Sequence, residues 1–377
     1  MGQEYPSKER GPESASNVRW VSPVTTSKNF QEFQPPREYL VENLETAFTF
    51  GDSDPRWPIG PGAQTALRLQ HSLDIVAKTW GLSPSTITVL SDRYLAFYLA
   101  IMGSANAAHT SSIGHSPIER KEILAIVEAL AKSSESSVAL EEFSVGIDGI
   151  FNYGLESREL NLIQLRNGET GIAQQNLPSG GLVIDATSAL PSDLMKFKID
   201  SLPWHAIVLD ASSWNGPRGV YYLAINPKYA WRNPLPTLDT DLPKFGANFA
   251  LTLMATLALE NFMRWDQEAI QAANTSIREI VSSLPDVDIA GEETGDRLSL
   301  SFLYIQSEEL QRALWGEGFL VDSGSACSSS ALEPSHVLTR MGLLSHGNVR
   351  LRFTPENLES AADLARSLVR HVHQLRA

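Results

Sequence analysis

Cysteine is almost absent: the 377-residue chain has one, Cys327. A single thiol excludes an intrachain disulfide framework and a multi-cysteine metal site. Long apolar runs are missing as well. No stretch approaches the ~18 residues that cross a bilayer, and residues 1–10 have no apolar core of the signal-peptide kind. The residues after Met1-Gly2 are unfavourable for myristoylation. Positive charge is scarce against negative, with 30 Lys and Arg facing 44 Asp and Glu for a formal net charge of −14. That balance argues against sequence-independent binding to nucleic acid or to an anionic membrane surface. Together these absences predict a cytoplasmic protein.

What is present is an ordinary globular composition, 42% hydrophobic and 20% charged. The length exceeds the ~250–300 residues at which single cores stop growing, so two domains are expected. Residues 1–18 are polar and read as a disordered lead-in. Residues 19–54 read as an N-terminal segment packing on the smaller domain, 55–255 as a large α/β domain, and 256–377 as a smaller α+β domain. Helices are expected from Pro35, over 62–81 with a closing glycine, over 95–102 and over 120–132. Strands are expected over 85–90, 107–112, 160–165, 181–185, 205–210 and 219–225, with 137–145 extended. One long helix is expected over about 246–284, bridging the domains. A strand over 297–304, a helix over 307–316, strands at 319–321 and 349–353 and a helix over 359–375 complete the chain. Strand–helix alternation of this kind predicts a mostly parallel sheet covered on both faces.

The lone thiol stands in Ser323-Gly-Ser-Ala-Cys327-Ser-Ser-Ser-Ala-Leu-Glu-Pro-Ser-His-Val-Leu-Thr-Arg-Met-Gly342. The Gly/Ser/Ala run reads as a solvated loop. Glu333-Pro334 then leads into a short helix with Val337, Leu338 and Met341 at helical spacing. On residue type alone, an incidental surface cysteine and a presented thiol are both open.

The motif resembles the active-site loop of cysteine desulfurases, of the class V aminotransferase group of pyridoxal phosphate (PLP) enzymes. The resemblance covers roughly residues 55–375. It implies the PLP-transferase fold type I, a large, mostly parallel sheet domain plus a smaller C-terminal α+β domain. It also implies that Cys327 is the nucleophile that takes up sulfur as a persulfide. Arg350, in Asn348-Val-Arg-Leu-Arg352, matches the substrate-carboxylate clamp, a task for which a guanidinium is suited, with Arg352 as alternative. Asn167, in Asn167-Gly-Glu-Thr-Gly171, matches a substrate-binding asparagine. His115 matches the imidazole stacked on the cofactor, and Asp185 the acid on the ring nitrogen. Apart from the resemblance, His115 also reads as a loop histidine, Arg350 as a strand-edge cation and Asp185 as a helix cap.

Other positions depart from the family pattern. In Asp210-Ala-Ser-Ser-Trp-Asn-Gly-Pro217 the lysine position carries Ser213, the histidine Ser212, and a phosphate-binding serine Asp210. Two glycines of the phosphate loop are Asp92 and Arg93, and the ring-supporting glutamine is Ser188. The second asparagine of the 167–171 turn is Gly168, and a threonine lent to the phosphate aligns with Ala247. A hydroxyl cannot form a Schiff base. The expectation is a degenerate desulfurase-like protein that binds no PLP and has lost desulfurase activity. It would act as a non-catalytic partner, scaffold or persulfide relay through Cys327, as a homodimer or as a heterodimer with an active relative, with a sulfur-acceptor protein as a possible partner. Two alternatives are an active PLP enzyme using another lysine (Lys196, Lys198, Lys228 or Lys244) and a binding module whose emptied cofactor pocket takes another small ligand.

Overall fold

Leu160–Gln164, Gly181–Asp185 and Trp204–Asp210 are buried at every residue, as strands covered on both faces must be. They are the middle of a sheet in the computed structural model, which describes residues 26–32, 38–51, 53–132, 138–154, 158–236, 248–323 and 334–377. The strands in chain order are β1 (Ile87–Leu90), β2 (Ser112–His115), β3 (Ala139–Glu142), β4 (Ser144–Val145), β5 (Phe151–Asn152), β6 (Leu160–Gln164) and β7 (Gly181–Asp185). β8 (Trp204–Asp210), β9 (Tyr221–Ile225), β10 (Val287–Ala290), β11 (Arg297–Phe302), β12 (Asp322–Ser323) and β13 (Val349–Arg352) follow. The helices are α1 (Glu38–Gly51), α2 (Gly60–Trp80), α3 (Arg93–Ala108), α4 (Lys121–Lys132) and α5 (Pro191–Met195). The rest are α6 (Phe249–Phe262), α7 (Gln267–Val281), α8 (Ser307–Gly316), α9 (His336–Met341) and α10 (Ala361–Arg376).

The main sheet has the order β1-β9-β8-β7-β6-β2-β3. The pairs from β8 through β3 are parallel, and β9 pairs antiparallel with both β8 and β1. Alternate residues feed opposite layers. In β7, Leu182 and Ile184 join the layer containing Leu73, Val76, Trp80 and Leu259 of α2 and α6. Val183 joins the layer of Phe97, Leu99, Ile126 and Val127 from α3 and α4. A second, antiparallel sheet has the order β10-β11-β13-β12, and α7, α8 and α10 pack together beside it.

Local chemistry sets the element ends. α2 carries proline in its first turn and stops at Gly81, whose φ of 68° is left-handed and whose N–H reaches the carbonyls of Ala77 and Lys78. Strand 107–112 is corrected: α3 runs on through Ala107 and Ala108, His109 turns left-handed, and the strand starts at Ser112. The single helix over 246–284 is corrected to α6 and α7. Asp266 interrupts it, its carboxylate accepting from the N–H groups of Glu268 and Ala269 as an N-cap. At 319–321, Leu320 forms an isolated bridge with Asn29, and the regular strand lies one residue later.

Residues 26–32 lie along the second sheet. The Phe30 N–H donates to the Leu320 carbonyl at 2.8 Å, and the Phe30 carbonyl accepts from Arg352 N–H at 2.7 Å. The Phe30 ring is fully buried, edge-on to Phe353. α1 packs on α6. The expected lead-in over 1–18 lies outside the described residues. Among those described, no helix is long and apolar enough to cross a membrane.

Candidate functional site

A cavity of about 770 Å³ opens at the carboxyl ends of β6, β7 and β8, where open α/β sheets receive ligands. The start of α3, the approach to α4, the turn after β6 and the segments after β7 and β8 wall it on one side. Arg297, Asp322, Arg350 and Arg352 of the second sheet, the start of α9 and Glu32 close the other side.

Asp185, the last residue of β7, lies behind Arg120. Its Oδ1 accepts from Thr187 N–H at 2.8 Å and Thr187 Oγ1 at 2.6 Å. Its Oδ2 accepts from Arg120 Nε at 2.9 Å and more distantly from Gln164 Nε2 at 3.4 Å. Arg120 Nη2 donates to Ser188 Oγ at 2.5 Å. Glu119, fully buried, accepts from Gln164 N–H at 3.1 Å through Oε1. Burial, aided by the charge of Asp185, pushes the Glu119 carboxyl well above the ordinary carboxylate range. Asn167 lines the cavity but is committed to its own turn. Its Oδ1 accepts from the N–H groups of Glu169 and Thr170, and its Nδ2 donates to Gln164 Oε1 at 2.7 Å.

At the far end, Asp92 caps α3 by accepting from Leu95 N–H at 2.7 Å, and Arg93 pairs with Glu122 at 2.5 Å. Asp92 thus supplies one acceptor to the free N–H groups of that helix end. Asp210 accepts from Ser212 N–H at 2.8 Å, and burial raises its carboxyl pKa. Ser212 lines the cavity and Ser213 does not. The Ser213 hydroxyl is buried without a hydrogen-bond partner among the described residues. The carbonyls of Ser212 and Ser213 accept from Arg352 Nη1 at 2.9 Å and Nη2 at 2.5 Å.

Arg350 lines the cavity, donating to the Ser323 carbonyl at 2.6 Å with Glu169 Oε2 3.8 Å away. His115 does not line it. It is buried at the end of β2, with Nδ1 3.3 Å from the Ser116 carbonyl. Cys327 and Ala247 lie outside the described residues. The chain enters the Cys327 segment at Asp322 and leaves it at Pro334, both on the cavity wall. Beyond it, Ser335 caps α9 and donates to Glu169 Oε2 at 2.6 Å, and His336 Nε2 lies 2.9 Å from the Glu119 carbonyl. Sequence reasoning missed Glu32, Glu119, Arg120, Lys121 and Arg297 as wall residues.

No family model matches the chain. The cysteine desulfurase IscS of Klebsiella pneumoniae subsp. pneumoniae is 26% identical over 382 residues, covering 90% of each chain. The cysteine desulfurase IscS of Proteus mirabilis is 29% identical over 329 residues, 76% of this chain and 78% of the relative. Among solved structures, a NifS-like protein matches with a TM-score of 0.74 at 18% identity, over 91% of this chain and 99% of its own. The cysteine desulfurase CsdA of Escherichia coli matches with a TM-score of 0.71 at 13% identity, over 93% and 95%. The fold is therefore the PLP-transferase fold of NifS-like structures. These relatives of the chain are cysteine desulfurases, to which it is similar at 26% and 29% identity.

The expectation that no PLP is bound is corrected by this finding, because cysteine desulfurases bind pyridoxal phosphate. The residues present suit such a group as a non-covalent guest. Asp185 and Ser188 lie by the floor, and Ser91, Ser212, Arg93 and Arg218 line the end nearest α3. They do not suit a Schiff base at position 213, which offers a hydroxyl where an amine is required. Among the described residues Lys121 is the lysine that lines the cavity.

Proposed function

We propose that the chain serves sulfur transfer as a carrier or partner of an active desulfurase rather than as the protein that strips sulfur from cysteine. Cys327 is the thiol that takes the sulfur. One observation supports this reading: Ser213, which the family resemblance matches to the Schiff-base lysine, has its hydroxyl buried and its carbonyl held by Arg352. In the transfer step the Cys327 thiolate attacks the outer sulfur of a persulfide on the partner. The partner's S–S bond breaks, its thiolate leaves, and a new S–S bond forms on Cys327 with no net redox change. The placement of Asp322 and Pro334 on the cavity wall, near Arg350, supports a thiol working at this site. The partner is a second copy of the chain or an active relative, and the exposed Trp57, Ile59 and Leu67 support an apolar contact face. The reading places the protein in the reducing cytoplasm, where a lone thiol persists.

The test supplies purified protein with PLP and cysteine and measures sulfide. It then offers a persulfide-loaded donor protein and weighs the Cys327 peptide. The expected result is no sulfide from the chain alone and a gain of one sulfur atom on Cys327, absent in Cys327→Ser. Sulfide release by the chain alone, abolished in Cys327→Ser, would end the carrier reading.

A second reading, catalysis by the chain itself, is supported by the place of Lys121 in the cavity wall. Of the lysines weighed on sequence, Lys196, Lys198 and Lys228 do not line the cavity, and Lys244 lies outside the described residues. Under this reading Lys121→Ala abolishes sulfide release.

A further inference from the structure

Gly168 and Ser188, two positions where the resemblance to desulfurases breaks, meet at Arg120. A Cβ on Gly168 would lie 2.8 Å from Ser188 Oγ and 3.1 Å from Arg120 Nη2. Any side chain at 168 would therefore press on the guanidinium of Arg120, and a side chain longer than serine at 188 would meet it as well. The residues at 168 and 188 leave the volume that Arg120 fills. Beneath it lies Asp185, its side chain 2% exposed, engaged by Arg120 Nε at 2.9 Å. The Arg120 side chain retains 18% exposure, so it lies at the surface of the cavity floor rather than sealed inside it. A buried carboxylate without a counter-charge is costly, and Asp185 becomes one wherever Arg120 is absent. That condition calls for a positively charged group with N–H donors at this place, and Ser188 Oγ accepts from it as well.

We propose that Asp185 and Ser188, beneath the cavity floor, form a seat for a planar cation bearing N–H donors, and that Arg120 is its resident occupant. An external planar cation of the guanidinium or pyridinium type binds there only as Arg120 withdraws. Arg120 immediately precedes α4, so its side chain can swing without moving a strand. The apparent affinity of the external ligand is reduced by the fraction of time the seat is closed. The inference goes beyond the sulfur-transfer reading and stands without it, since neither readout below involves sulfide or Cys327.

The test uses the full chain, with Arg120→Ala opening the seat and methylguanidinium as the probe. Thermal shift and titration calorimetry should show saturable binding of low-millimolar methylguanidinium to R120A. Wild type at matched ionic strength should show none, and R120A/D185N should lose it. If R120A does not fold, Arg120→Gln, which keeps a donor for Ser188, is read in the same way. A folded variant that responds no more than wild type, or an R120A/D185N protein that responds equally, overturns the proposal. Pyridoxal phosphate, followed by absorbance, should bind R120A about tenfold more tightly than wild type because the closed state is gone. Equal or weaker binding would make Arg120 a holder of that ligand and overturn the competition.

Discussion

Glu32 offers the sharpest test of how the cavity is held together. It enters from the N-terminal segment and accepts from Arg297 at 3.0 and 2.8 Å and from Arg352 at 3.2 Å. Both arginines are nearly inaccessible, at 3% and 1%. Burial alone would raise the Glu32 carboxyl, but the charges of Arg297 and Arg352 outweigh it and draw the pKa from 4.5 down to about 2. A folded-state pKa below the unfolded one stabilises the fold above the unfolded value, and the gain is lost as pH falls toward the folded one. At ~1.4 kcal/mol per pH unit, the difference amounts to about 3 kcal/mol at pH 7 and about 1.4 kcal/mol at pH 3. Glu32→Gln keeps the shape and removes the charge, while Asp296 remains beside both arginines. Urea unfolding of E32Q should therefore fall short of wild type by about 2–3 kcal/mol at pH 7. The gap should narrow by about 2 kcal/mol on going to pH 3. Equal stability at pH 7, or a gap that does not narrow with acid, would refute the assignment of Glu32 as the counter-charge of this pair.

Two further outcomes follow from the site's scaffolding. Asp92→Ala removes the N-cap of α3 and should cost about 1 kcal/mol in urea unfolding, with a matching loss of helical circular dichroism on heating. Arg166, 2% exposed, grips Asp193 at 2.7 and 2.8 Å and Glu292 at 2.9 Å. Arg166→Leu strands the Asp193 carboxylate in the core and should cost about 3–5 kcal/mol, whereas the double variant R166L/D193L should recover much of that loss in the same unfolding assay.

The main sheet was legible because strands covered on both faces leave continuous apolar runs, as in Ile207-Val208-Leu209 and Val183-Ile184. The break between α6 and α7 was not, because Phe262, Met263 and Trp265 carry apolar spacing across it and only one aspartate, Asp266, marks the start of the second helix. At the site, Asn167, Ser188, Ser212 and Arg350 were singled out by sequence and line the cavity. Asp185 lies just behind, reached through Arg120. His115 was expected beside them, but the structure leaves it out of the wall and brings in Arg120, five residues later. Glu119-Arg-Lys-Glu122 reads as the charged first turn of a surface helix. Only the tertiary placement of β7 against the start of α4 shows that the first two of those charges turn inward. Glu32 was hidden for a different reason: its segment is remote in sequence from every motif, and only Phe30, pinned between Leu320 and Arg352, carries it to the cavity.

Position 213 sits in a pocket sized for serine. Its side chain is 1% exposed, and the backbone of 212–213 is fixed by the guanidinium of Arg352, which also binds Glu32 and lies near Asp296. Placing lysine there would put a long side chain in the room of a hydroxymethyl group, at a cost of about 1–3 kcal/mol for overpacking. It would also bury an ammonium beside a fixed guanidinium, which disfavours the charged form and adds to that cost. Ser213→Lys is therefore expected to be less stable than wild type by about 3 kcal/mol or more in urea unfolding. Borohydride treatment in the presence of pyridoxal phosphate should not fix the cofactor at residue 213, as peptide mapping would read. A stable S213K protein that is labelled at that residue would refute the argument, and would mean that a lysine fits there without moving Arg352.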